Sequence, residues 1–229
     1  MTNSSSTATD GTKSIIRFRW IGYGLLVFAL VDVIEVLVPP QFTNASWELQ
    51  AIGQLVERAP VPLIGMALVF YGEQLGRSLL ESLLLRVLSW LSILLMVVFL
   101  LLVPLGVVNT FKINTQTVNT IDNQVQQQFN QLDQIQQQVD KASAKDLENL
   151  AEQLRRAGVP EITSNNPEEL KREVKTRVTA FKEGIKKQAA QEKTNRFRSL
   201  LERAVKWNIG AIITSVLFFA IWKTSRWAR

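Results

Sequence analysis

Residues 118–140 read VNTIDNQVQQQFNQLDQIQQQVD. Glutamine dominates the stretch, yet an apolar residue keeps returning at a fixed interval. Val118, Val125, Leu132 and Val139 stand seven apart, and Ile121, Gln128, Ile135 and Ala142 fill the second position of the same heptad. A disordered polar tract has no reason to keep that spacing, whereas a helix with one narrow buried seam requires it. Glutamine outside the seam is a good helix former. The pattern predicts a helix from Ile113 to Ala142, roughly 45 Å long at the α-helical rise. Its seam, with one polar position at Gln128, needs something to pack against.

A candidate partner lies downstream. DLENLAEQLRRAG reads as a short helix and GVPEITSNNPEE as a turn region. Asn166, Pro167 and Glu169 then form a helix start: an N-cap, a proline at the first helical position and an acid three residues past the cap. The following helix carries an apolar stripe of Leu170, Val174, Val178, Phe181, Ile185 and Ala189, continued by Phe197, Leu200, Leu201 and Ala204. Only Gly184 interrupts it. The simplest geometry is an antiparallel, coiled-coil-like hairpin in which Val118, Ile121, Val125, Leu132, Ile135 and Val139 pack on Val174, Val178, Phe181 and Ile185. A second copy of the chain is the competing partner, because heptad seams also make homo-oligomers.

The rest of the chain says where this insert is held. Of 229 residues 47% are hydrophobic, and they are concentrated in four blocks, 20–38, 61–71, 87–108 and 207–222. Residues 109–204 between the last two blocks are almost entirely polar. This segregation marks an all-α polytopic membrane protein with one long hydrophilic insert. Four domains follow: a disordered basic tail over 1–19, three spans and a short loop over 20–108, the helical hairpin over 109–204, and a fourth span with a basic tail over 205–229. The second block, VPLIGMALVFY, is short for a span. It needs an extension into GEQLGRSLL, or else it is re-entrant. With four spans, Lys13, Arg17 and Arg19 share one side with Lys223, Arg226 and Arg229, which puts both termini in the cytoplasm and the hairpin in the periplasm or a lumen. Trp207 and Trp222, with Lys206 and Lys223 outside them, fit an interfacial belt. In the first outer loop, Trp47, Ile52, Leu55 and Val56 fit one side of a short interfacial helix started by Asn44 or Ser46.

The net charge of +6 is accounted for by these flanks and implies no nucleic-acid partner. The absence of cysteine and histidine excludes disulfides, thiolate nucleophiles, Cys- or His-ligated metal and imidazole catalysis. No metal site, cofactor or catalytic residue is read here, and the chain is expected not to be an enzyme. Two features remain as candidate sites. Asp32 and Glu35 stand three apart inside the first span, on one helix face, where an acid must face protein or water. They fit a paired structural role with Arg58 or Arg86, a proton relay, or a docking point for another subunit. Lys193, Arg196, Arg198, Arg203 and Lys206 cluster before the last span, where they fit ordinary juxtamembrane charge or contact with anionic lipid or an acidic polymer.

The run GYGLLVFALVDVIEVLVPPQFTNASWELQAIGQLVERAPVPLIGMALVFYGE resembles the N-terminal part of the HpsJ family of cyanobacterial membrane proteins. Pro39-Pro40, Trp47-Glu48, Gly53, Leu55-Val56-Glu57-Arg58, Pro60-Val61-Pro62-Leu63 and Phe70-Tyr71-Gly72-Glu73 carry the likeness. The Gln-rich insert and closing span are similar in kind. The resemblance implies a role in hormogonium-type polysaccharide production or secretion, which supports gliding. It implies a plasma or thylakoid membrane as the location, and other membrane proteins of that system as partners beside the lipids. On this reading the chain is a non-enzymatic scaffold or accessory protein that docks partners through its hairpin. The alternatives are a transmembrane signal-coupling protein and a small proton-coupled transporter using Asp32 and Glu35.

Overall fold

A computed structural model describes residues 4–72, 78–141 and 167–229, together with 146, 149 and 156. The described residues are helical, with no strand among them. In order they include α1 (Ser4–Leu37), α2 (Ala45–Arg58), α3 (Pro60–Phe70), α4 (Leu79–Lys141) and α5 (Pro167–Thr224), closed by a 3-10 turn (Ser225–Ala228). Four helical stretches are long and apolar enough to cross a membrane: Ser14–Leu37, Ala45–Phe70 and the apolar portions of α4 and α5. The chain divides into two compact units, one of residues 1–113 with 200–229 and one of residues 114–199.

In the first unit α1 begins at Ser4, where composition suggests a disordered tail. No proline separates that start from the apolar segment, so a helix already nucleated there extends backwards at little cost. The outer-loop helix is α2. The Asn44 side chain caps it by accepting from the backbone N–H of Ser46 at 3.0 Å and of Trp47 at 3.4 Å. The buried residues of α2 include Leu49 and Ile52, while Trp47 is half-buried. The short second block gains its length on the side opposite to expectation. Its helix stops at Phe70 and instead runs on from α2 through a bend at buried Ala59, with Pro60 opening α3. Residues 45–70 thus supply one candidate span where 61–71 alone fall short.

Small residues let these helices close up. A Cβ on Gly22 would lie 2.8 Å from the Gly65 carbonyl oxygen, so α1 and α3 touch backbone to backbone. Phe99 of α4 stacks on Phe218 of α5 at 5.7 Å, the Ser215 hydroxyl donates to the Met96 carbonyl at 3.0 Å, and the Ser89 and Ser225 hydroxyls meet at 2.7 Å. Met66, Val69, Leu85, Ala211 and Phe218 are the best-buried apolar members of this core among the described residues. Among lipid tails the gain comes from close packing and interhelical hydrogen bonds, and small or hydroxylated residues serve both.

In the second unit Leu132, Val139, Val174 and Val178 form one buried cluster, with Ile135, Phe181 and Ile185 packed against it. Lys182 pairs with Asp133, and Lys193 with Asp122 at 2.5 Å, so residue numbers rise along one segment as they fall along the other. Ile121 is buried, and Val118 and Val125 are half-buried. Gln128, expected in the seam, is exposed, and its neighbour Phe129 is half-buried instead. The reason is helical pitch. From Ile121 to Val139 the chain advances 18 residues, five turns of a straight α-helix, so the inward position drifts off the strict seven-residue repeat. Ala142, residues 73–77, Asn166 and most of the expected short helix over 146–158 lie outside the described residues.

Candidate functional site

Polar side chains of the first unit gather at its two ends. At the end where α1 stops, Asp32 and Glu35 share one partner. The Arg58 guanidinium donates through Nη1 to Asp32 at 3.1 Å and to Glu35 at 2.8 Å, and reaches the Asp32 backbone carbonyl at 3.4 Å. The three-residue spacing places both acids where one cation from α2 can meet them. Arg86, the other candidate, is exposed on α4. Two carboxylates against one guanidinium leave this trio one negative charge when all three are ionised. It pins α1 to the last turn of α2, where a cation also suits the helix dipole.

The neighbouring turns of α2 engage the other two long helices. Glu57 accepts from the Lys206 ammonium at 2.9 Å and from the Trp207 indole N–H at 3.1 Å. The Trp207 ring covers Gly53 so closely that a Cβ there would fall 2.3 Å from it, and a Cβ on Gly210 would fall 2.4 Å from Val56. Near the start of α2, Glu48 accepts from the Asn109 amide at 2.6 Å. Glu48, Gly53, Val56, Glu57 and Arg58 all belong to the run singled out in the sequence, and each is a joint between helices.

The opposite end is held by Arg19. Read as a flanking charge, it is in fact 6% exposed. It donates to the Gly72 carbonyl at 2.6 Å, to the Tyr71 carbonyl at 3.4 Å and to Glu81 at 3.4 Å. Gly72 has φ +73°, a conformation only glycine adopts freely, and this presents its carbonyl to the guanidinium. Sequence reasoning missed Arg19 because a cation before a span is expected at the interface. It also passed over Asn109 and Asn208, which sit at the ends of apolar runs where an amide carries no periodic signal.

The basic cluster divides. Lys193, Arg196 and Arg198 belong to the second unit, Arg203 and Lys206 to the first. Lys193 faces Asp122, Arg196 pairs with Glu192 at 2.6 Å one turn back, and Lys206 meets Glu57. Arg198 and Arg203 are exposed. Such exposed pairs contribute little and exchange readily with other anions.

No curated protein and no solved structure matches this sequence. A family model described as HpsJ-like protein matches residues 13–226, from the first membrane helix through the last. The likeness of residues 22–73 therefore extends over nearly the whole chain, which belongs to the HpsJ-like protein family.

Proposed function

We propose that this protein is a non-enzymatic membrane scaffold of hormogonium-type polysaccharide production or secretion. Four spans anchor it, and the polar portions of α4 and α5 form an antiparallel hairpin that docks other membrane proteins of the system. Family membership supports the polysaccharide context. The observation that carries the docking role is how residues 114–199 use their apolar stripe. Leu132 and Val139 are consumed by Val174 and Val178, and among the described residues Phe197 is the one large apolar side chain of this unit that is exposed. What faces outward is charge and amide, the surface of a recognition element rather than of a further lipid-buried helix.

The test is polysaccharide, released and cell-bound, in a strain lacking the chain and complemented with or without residues 113–204. The scaffold reading expects a fall that only the intact chain restores. Restoration by the shortened chain would remove the docking role, and unchanged polysaccharide would remove the polysaccharide context as well.

A further inference from the structure

Two amides in the first unit have buried oxygens that accept no hydrogen bond among the described residues. Asn109 is fully buried, and its Oδ1 has no hydrogen-bond donor among the described residues. The buried Oδ1 of Asn208 has none either. Turning either amide over does not help, because each nitrogen is already held by an acceptor. Asn109 Nδ2 lies 2.6 Å from the Glu48 carboxylate, and Asn208 Nδ2 lies 2.8 Å from the Ala204 carbonyl. A flip would set oxygen against oxygen. The two orphan oxygens are fixed consequences of the packing.

They share a neighbourhood. Asn208 takes the space left by the missing side chain of Gly106, its Oδ1 3.0 Å from where a Cβ would stand. Gly106 lies one turn before Asn109 and Thr110 on α4, and the Thr110 hydroxyl donates to the Gly106 carbonyl at 2.7 Å, which leaves its lone pairs unused. Glu48 brings a carboxylate from α2, and among the described residues it forms no ion pair. Amide, hydroxyl and carboxylate oxygens from three helices thus lie against residues 106–110 of α4, with a formal charge of −1 and no ion pair among the described residues.

We infer that this layer binds an alkali-metal cation, sodium or potassium. Hard cations take oxygen ligands of this kind. A divalent ion would call for more carboxylates, and no group of three or more acidic, histidine or cysteine side chains suited to a metal occurs among the described residues. A cation also meets the half-buried Glu48 carboxylate, which a water molecule leaves without an ion pair.

The full chain, purified in detergent, tests this by thermal unfolding in sodium, potassium and choline chlorides at equal ionic strength. The expected result is a midpoint that rises and saturates with sodium or potassium and stays flat with choline, as linkage to a site on the folded state requires. Asn109→Ala and Asn208→Ala should each remove that rise. Equal midpoints in all three salts overturn the proposal and leave the layer to water. A rise that survives both substitutions also overturns it, by placing the ion elsewhere. Should a variant fail to fold, equilibrium dialysis of radiolabelled sodium and rubidium against the unaltered chain decides, and binding well below one ion per chain counts against the site.

Discussion

Arg58 is the clearest case of a residue whose partners decide its meaning. Held against Asp32 and Glu35, it ties the acids of the first span to α2. Asp32→Asn combined with Glu35→Gln should therefore leave the protein inserted and the polysaccharide phenotype intact, with a lower unfolding temperature because Arg58 loses both charges. A stable, correctly inserted protein without activity would revive the proton-coupled reading. Arg19 predicts a larger structural effect. Removing a buried guanidinium takes the donor from the Gly72 carbonyl and one partner from Glu81, so Arg19→Ala should cost about 3 kcal/mol by the usual scale for broken buried pairs, read as the detergent-solubilised unfolding free energy. Gly53 tests the α2–α5 contact. Gly53→Ala drives a methyl into Trp207 and should cost about 1–3 kcal/mol. Trp207→Ala should make that same change nearly neutral in the double variant, since the obstacle is then gone.

At the scale of elements, the two apolar portions and the two polar portions of α4 and α5 obey different rules. In the spans close approach is set by small residues, as at Gly22 and Gly106. In residues 114–199 it is set by an apolar stripe, whose burial itself stabilises a segment of otherwise polar surface. Leu132→Ala should therefore cost about 2–5 kcal/mol of that unit's stability. The inward position at 128–129 separates straight α-helical packing from a strict heptad. Gln128→Leu should change stability by less than about 0.5 kcal/mol because the side chain is exposed. Phe129→Ala should weaken the unit and remove the ring beside Lys182 and Lys186, whose ammonium groups lie 5.8 and 5.5 Å from the Phe129 ring centre. A strict heptad coil gives the reverse order of the two effects. Circular dichroism melting of the variants distinguishes them.

For the whole molecule the open contest was whether the seam is filled by the same chain or a second copy. Cysteines replacing Asp133 and Lys182, joined by a short bifunctional maleimide, should yield a crosslinked monomer. A covalent dimer at low protein concentration would favour the second copy instead. The native chain contains no cysteine, so introduced thiols report without background. The same advantage serves topology. Single cysteines near each terminus should be labelled from one side of the membrane, and one at Thr194 from the other. Labelling of both termini from opposite sides would remove the four-span arrangement.

Sequence alone determined what repeats or accumulates along the chain. Four apolar blocks predicted the spans, because hydropathy sums over consecutive residues. The buried stripe at Ile121, Leu132, Val139, Val174 and Val178 was legible because side chains on one helix face return every three or four residues. Asn44 was legible as a cap because capping is local. Tertiary structure alone decided the rest. It chose Arg58 over Arg86, buried Arg19, drew the second span back through α2, exchanged Gln128 for Phe129, and left the Asn109 and Asn208 oxygens without donors. Apart from the exchange at 128–129, which follows from helical pitch, these depend on which residue from another element stands opposite, and a pairing between positions distant along the chain leaves no period in the sequence to read.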